Sequence, residues 1–284
     1  MLFRKISGLI ELFRLELSLA AGICVTAGQV LALGGLPPFE IVLLGFACVF
    51  CLSASALIFN DYFDYAVDQI NASQRPLPSG RVTHGECRAL GAVVTLAGLT
   101  CAAVLGVTAF LVAIVLWVIG FLYNARFKQT GLPGNLMVCV SVAATFVFGA
   151  VSVGQPWSGV VWIFALMAFF IDLGEEIAGD AMDMEGDKQI GSRSLALLKG
   201  RSFALRVTVA LWGVVILLSL VPALLGWLGP GYLLFIAATD GLILYFSARL
   251  LRSQDAVSGR RAMRGVYLGA TLCVLGFFIG RLIG

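Results

Sequence analysis

Eight polar side chains in two short segments carry the chemistry legible in this sequence. Asn60, Asp61, Asp64 and Asp68 lie in N-D-Y-F-D-Y-A-V-D, directly after the uncharged stretch 41–59. Glu176, Asp180, Asp183 and Asp187 follow a second apolar run much later in the chain. Residues four apart share one face of a helix. Asn60, Asp64 and Asp68 are spaced by fours, and the second set by four, three and four. Each segment therefore forms a carboxylate stripe if its helix continues past the membrane edge. Like charges in a partly desolvated setting repel steeply, so something cationic belongs between them. Mg²⁺ fits, because it takes oxygen ligands, keeps several waters, and is held by one or two carboxylates plus substrate phosphates. Ca²⁺ and other divalent ions share that ligand chemistry. Two stripes facing each other across one site would hold two ions gripping a diphosphate. Arg75, Arg81, Lys128, Lys188 and Arg193 stand nearby as anion-binding groups.

The elements that must position these residues are membrane helices. The chain of 284 residues is 60% hydrophobic and 12% charged, with a mean hydropathy of +0.99. A soluble domain carries about 25% charged residues, so the expected fold class is all-α: a polytopic membrane helical bundle forming a single domain over 1–284. A span needs about 20 mostly apolar residues. By that measure nine are expected, at 15–34, 41–60, 89–107, 109–125, 136–153, 158–175, 205–224, 231–249 and 265–283. Arg4, Lys5, Glu11, Arg14 and Glu16 make the start of the chain an amphipathic lead-in to a retained first span.

Cytoplasmic loops retain Lys and Arg. With the N-terminus inside, every one of the 19 basic residues except Arg281 falls on the cytoplasmic side. Both acidic segments then lie at that face, and the expected location is the inner, or cell, membrane. The loops after the second and sixth spans echo each other. Each opens on spaced carboxylates and continues into a basic part with glycine, P-L-P-S-G-R and G-S-R-S-L.

At these residues the chain resembles the UbiA superfamily of intramembrane prenyltransferases. The segment 60–68 with R-P-L-P-S-G at 75–80 is similar to the family's first signature, and E-E-I-A-G-D-A-M-D-M-E-G-D at 175–187 with G-S-R-S-L to its second. Y-N-A-R-F-K at 123–128 and G-N at 134–135 resemble segments between them. The resemblance implies a bundle around a central cavity, two Mg²⁺ ions, and transfer of a prenyl group from its diphosphate through an allylic carbocation. Asn60, Asp61, Asp64 and Asp68 would hold one ion; Asp180, Asp183 and Asp187, with Glu176 in support, the other. Asn60, Arg75, Lys128, Lys188 and Arg193 would bind the diphosphate. Asp64, Asp68, Asp180, Lys128 and Tyr123 would be catalytic, Tyr123 by stabilising the developing cation. D-M-E-G-D-K with G-S-R-S-L looks closest to the branch that alkylates geranylgeranylglyceryl phosphate; aromatic quinone-precursor and chlorophyll-type acceptors are the alternatives.

Two departures from the family pattern stand out. Glu175 replaces an Arg, and R-L-E-L-S at 14–18 lacks R-P-x-N, so no acceptor-binding Asn transfers there.

The expected partners are a prenyl diphosphate such as geranylgeranyl diphosphate, a lipid or aromatic acceptor, and the bilayer, with no nucleic acid; the oligomeric state is left open. A carboxylate-lined transporter is the competing class, although it would more naturally bury its acids mid-span. His84 reads as a surface residue and Asp240 as an intramembrane carboxylate near a helix end or paired in the bundle. The seven cysteines read as small buried hydrophobes, and Gly276 with Gly280 as a helix-packing G-x-x-x-G.

Overall fold

The computed structural model describes residues 2–189 and 191–283, without the side chains of Leu2, Gln189, Leu272, Cys273 and 275–283. Cys273, Arg281 and the Gly276/Gly280 motif therefore lie outside the described side chains. All described regular structure is helical: α1 (Leu2–Glu11), α2 (Leu15–Leu33), α3 (Phe39–Phe63), α4 (Tyr65–Asn71), α5 (His84–Leu105), α6 (Val107–Leu122), a π-helical turn (Tyr123–Phe127), α7 (Leu132–Ser152), α8 (Gly159–Met182), α9 (Met184–Gln189), α10 (Leu195–Lys199), α11 (Arg201–Leu224), α12 (Pro230–Leu251) and α13 (Ala256–Ile283).

Among the described residues seven helices are long and apolar enough to cross a membrane: α2, α3, α5, α6 with its π turn, α7, α11 and α12. The chain is an integral membrane protein. The expected sixth and ninth spans coincide with α8 and α13 but fall outside that set. Asp172, Glu175 and Glu176 sit within α8, whereas α13 opens with Arg260, Arg261 and Arg264 and runs into side chains that are not described. Helix starts also move outward from the hydropathy limits. α5 begins at His84, not residue 89, because Thr83 and Glu86 close a capping box there. The third and fourth spans, which no polar residue separates, part at Gly106.

The chain divides into two compact units, residues 1–126 with 144–156, and residues 127–143 with 157–284. In the first, α3 packs on α2 and α5, with a core of Val25, Cys48, Leu52, Ala102 and Phe148. Here α2 touches the later half of α7 with almost no space between backbones. A Cβ on Gly28 would sit 2.1 Å from the Phe146 carbonyl oxygen, and one on Gly149 2.3 Å from that of Val25. Gln29 reinforces this contact, donating to the Ile41 carbonyl at 3.0 Å and to Ser152 Oγ at 2.9 Å.

In the second unit α8 packs on α11 through one large side chain. Trp212, fully buried, lies over Gly174 and donates its indole N–H to the Ile171 carbonyl at 3.1 Å. Leu173, Ile177, Ala178 and Ala181 complete this apolar face of α8. That pairing decides which side of α8 is left for its carboxylates. Gly28→Val is expected to lower the melting temperature of the purified protein in detergent, with a loss of about 1–3 kcal/mol for overpacking, whereas valine at open Gly213 on α11 leaves it unchanged.

Candidate active site

Both acidic segments have the same local build, and it differs from the uninterrupted stripe expected. α3 ends at Asp64, which is followed by α4; α8 ends at Asp183, which is followed by α9. A carboxylate at a helix C-terminus meets the negative end of the peptide dipoles, whereas one in a first turn is favoured. The breaks put Asp68 in the first turn of α4 and Asp187 in the first turn of α9. The i to i+4 register survives each break. Asp64 N–H donates to the Asn60 carbonyl (2.9 Å) and Asp68 N–H to that of Asp64 (2.8 Å), while Asp187 N–H donates to that of Asp183 (2.9 Å). Side-chain spacing therefore remains as the sequence implies.

In the first unit Asp61 continues the buried face of α3 formed by Leu52, Ser55 and Ile58, and is itself only 3% exposed. A buried carboxylate needs a counter-charge, and Asp61 has two. Arg14, in the turn before α2, forms a short ion pair with it and also reaches Asn60 Oδ1 at 3.4 Å; Arg75 lies 3.6 Å away. The Arg75 Nη1 also donates to both oxygens of Asp68, at 2.8 and 2.7 Å. Asn60 donates to Asn124 Oδ1 at 2.9 Å, and Asn124 donates to the Ala56 carbonyl at 2.8 Å, so the π-helical turn orients the first residue of the motif. π-helical turns are frequent at functional sites, and Tyr123 belongs to the same turn. The P-L-P-S-G-R segment is an ordered loop pinned by buried Leu77 and Val82, with Arg81 on the Gln74 carbonyl and on Glu11. Arg14, Arg75 and Asp61 open onto a cleft of about 470 Å³ that Ile10, Leu15 and Leu17 also line.

In the second unit Asn135 of α7 donates to Asp180 Oδ2 at 3.0 Å, and the Cys139 thiol one turn on donates to Asp172 of α8. Asp172 stands four residues before Glu176, so the stripe runs one turn deeper than the motif. Asp183 pairs with Arg260 of α13. Burial, with Asp183 beside it, raises the pKa of Asp187 despite a hydrogen bond from Ser194. Asp187 Oδ2 is buried with no hydrogen-bond partner. Lys188 is exposed beside a second open cleft with Glu185, Ser192 and Leu197. The loop carrying Arg193 is tied to the segment after Lys128. Arg193 N–H bonds the Gln129 carbonyl, and Gly131, at φ +71°, lies so close that a Cβ would be 2.1 Å from the Arg193 carbonyl oxygen.

The sequence marks neither Arg14, part of the amphipathic lead-in, nor Arg260, one of the basic loop residues, as a partner of the stripes, and it assigns Asn124 and Asp172 no role. Asp172 alone has a local signal, a carboxylate inside an apolar run in helical register with Glu176. Asp240 is mid-helix in α12 and accepts from Ser219 at 2.9 Å, one of the two settings expected for it. His84 is exposed and packs edge-on against Tyr65, with ring centroids 4.3 Å apart.

The donor set suits Mg²⁺. It is made of oxygens, and Asp187 Oδ2 is an unpartnered buried acceptor. Among the described residues no three His, Cys, Asp or Glu side chains converge into a closed cage, which Mg²⁺ does not require when substrate phosphates and water complete its shell.

Removing Arg75 leaves Asp61 and Asp68 with less counter-charge. Arg75→Ala is expected to destabilise the protein by about 1–3 kcal/mol, below the range for a fully buried pair because the guanidinium is partly exposed. Asp68→Asn combined with Arg75→Ala should cost less than the sum of the two single changes, read from unfolding curves in detergent.

Comparison with known proteins agrees with this build. The model of the UbiA prenyltransferase family matches residues 21–281. The digeranylgeranylglyceryl phosphate synthase of Thermococcus kodakarensis is 34% identical over 274 residues, covering 96% of this chain and 98% of that protein. A solved structure of digeranylgeranylglyceryl phosphate synthase superimposes with a TM-score of 0.84 at 28% identity, over 99% of both chains. A UbiA homologue from Archaeoglobus fulgidus bound to GPP and Mg²⁺ shares the fold, with a TM-score of 0.67 at 18% identity over 97% of this chain and 98% of that one. With a family match over nearly its whole length and a relative of that identity and coverage, this chain belongs to the UbiA prenyltransferase family and is an intramembrane prenyltransferase.

Proposed function

We propose that the acceptor is a glycerol-ether phosphate of the geranylgeranylglyceryl phosphate type and the donor geranylgeranyl diphosphate. The support is the whole-length similarity to relatives named digeranylgeranylglyceryl phosphate synthase. The observation that carries the mechanism is the pair of helix ends built alike, with buried Asp61 and Asp68 in one and half-buried Asp180 and Asp187 in the other. In this reading 1–284 is one enzyme domain with two Mg²⁺ sites. One is made by Asn60, Asp61, Asp64 and Asp68, the other by Asp180, Asp183 and Asp187 with Glu176 in support. Mg²⁺, when bound there, supplies positive charge to the departing diphosphate.

The rest is the work of the chain's own side chains. Arg75, Lys128, Lys188 and Arg193 bind diphosphate oxygens and hold the leaving group as the C1–O bond ionises. Asn60, oriented by Asn124, fixes the first ligand position. Tyr123 stabilises the allylic cation through its ring, and the apolar spans keep water from it. The acceptor hydroxyl oxygen then bonds to C1 and its proton passes to the released diphosphate, which departs in protonated form. The site faces the cytoplasm at the cell membrane, with the N-terminus on the same side, as the distribution of Lys and Arg supports.

The test offers purified protein geranylgeranyl diphosphate with geranylgeranylglyceryl phosphate, an aromatic quinone precursor or a chlorophyll-type tetrapyrrole acceptor, and identifies products by mass. Alkylation of the glycerol phosphate alone is expected; alkylation only of an aromatic or tetrapyrrole acceptor overturns the assignment. Asp64→Ala and Asp180→Ala are each expected to lower turnover by at least about 10³-fold while the protein still inserts and folds. Chelation with EDTA should abolish turnover and added Mg²⁺ restore it. Full activity in both variants would remove the two-stripe mechanism.

A further inference from the structure

We propose that α1 lies flat in the membrane surface, with Phe3, Ile6 and Ile10 seated where lipid headgroups meet acyl chains. At 3.6 residues per turn these three positions fall within an arc of about 60°. They are 85%, 47% and 52% exposed.

The opposite side of α1 is occupied. Gly8 is buried, with Val82 Cγ2 3.1 Å and Arg81 Cβ 3.2 Å from where its Cβ would stand. Glu11 pairs with Arg81 at 2.6 Å, Lys5 pairs with Glu86, and Leu12 at the end of α1 is fully buried. The helix is thus fixed in rotation by the 76–86 segment, and its apolar arc points away from the protein that holds it.

The occupant of that arc follows from what the surface joins. Only residues 12–14 separate α1 from α2, which begins as a helix long and apolar enough to cross a membrane, with Leu15 and Leu19, four apart on one side of it, each 43% exposed. Ile10 shares the wall of the Arg14, Arg75 and Asp61 cleft with Leu15, so one end of the arc borders that cleft, whereas Phe3 and Ile6 are not among its lining residues. Ten residues, about 15 Å of helix, cannot span a bilayer, so this surface meets lipid only by lying along it. Arg4, exposed and about 100° around the helix from Phe3, lies on the polar side, from which its long side chain reaches anionic headgroups. Seated so, α1 anchors the loop that carries Arg75 and Arg81 at the membrane surface from the lipid side.

The test reads depth and not turnover, so it is independent of the acceptor and of the two-stripe mechanism. The full chain is reconstituted in vesicles of phosphatidylcholine and phosphatidylglycerol, with a keto-phenylalanine replacing residue 3, 6, 10 or 4 in turn and coupled to a nitroxide. Collision with oxygen relative to a water-soluble nickel chelate should be at least about fivefold higher at positions 3, 6 and 10 than at position 4. Equal ratios along the helix, or labels at 3, 6 and 10 shielded from both reagents, overturn the proposal; the latter would mean that protein covers the arc. The double variant Ile6→Asp with Ile10→Asp gives a second reading. Amide exchange over 2–11 in the same vesicles should rise at least about tenfold while the spans keep their protection, and unchanged exchange in 2–11 overturns the proposal.

Discussion

Carboxylates at the ends of membrane helices must be compensated, and much of the local structure around both acidic segments follows from that need. An ionised Asp in a desolvated setting costs several kcal/mol unless paired and hydrogen-bonded. The need is sharpest at Asp61, which the packing of α3 turns into the protein with Leu52 and Ile58. Arg14 and Arg75 converge on it, and Arg75 then reaches Asp68 as well. In the second unit the same requirement is divided among Asn135 on Asp180, Arg260 on Asp183 and Ser194 on Asp187.

The helix breaks at Asp64 and Asp183 belong to the same economy of charge. A continuous helix would align every carboxylate with the unfavourable end of one set of peptide dipoles. Ending it and starting a short new one places Asp68 and Asp187 in favourable first turns without losing the four-residue register. Beyond these breaks the chain brings Arg75 onto Asp68 and ties the Arg193 segment to the Gln129–Gly131 turn. Asp68 and Arg75 are thus brought together by one continuous stretch of chain.

Each unit thus carries the same local build: an oxygen-rich end of a helix, a guanidinium or amide to hold it, and a glycine- or proline-bearing loop that returns basic groups. The large apolar remainder does a different task. Close backbone contacts at Gly28 and Gly149, and the seating of Trp212 on Gly174, set the rotation of α2 and α8, and with it the face their polar residues present.

Hydropathy alone was enough to locate seven of the nine expected membrane helices, because a bilayer demands about 20 apolar residues per span whatever packs around them. It could not find ends set by capping, such as His84, nor weigh α8, whose acids lie inside its length. The eight motif residues were legible because their spacing is a property of one helix, and helix register is local. The partners were not. Arg14 lies 47 residues from Asp61 and Arg260 77 from Asp183, and nothing in the intervening sequence selects these arginines over the other basic residues of the loops. Asn124 and Asn135 were visible as letters in family-like segments, but their roles as the amides that orient Asn60 and Asp180 come from helix rotation. Sequence determined where the spaced carboxylates lie and that they sit at helix ends. Tertiary structure decided which cation or amide serves each carboxylate, because pairing depends on which faces of which helices are packed together.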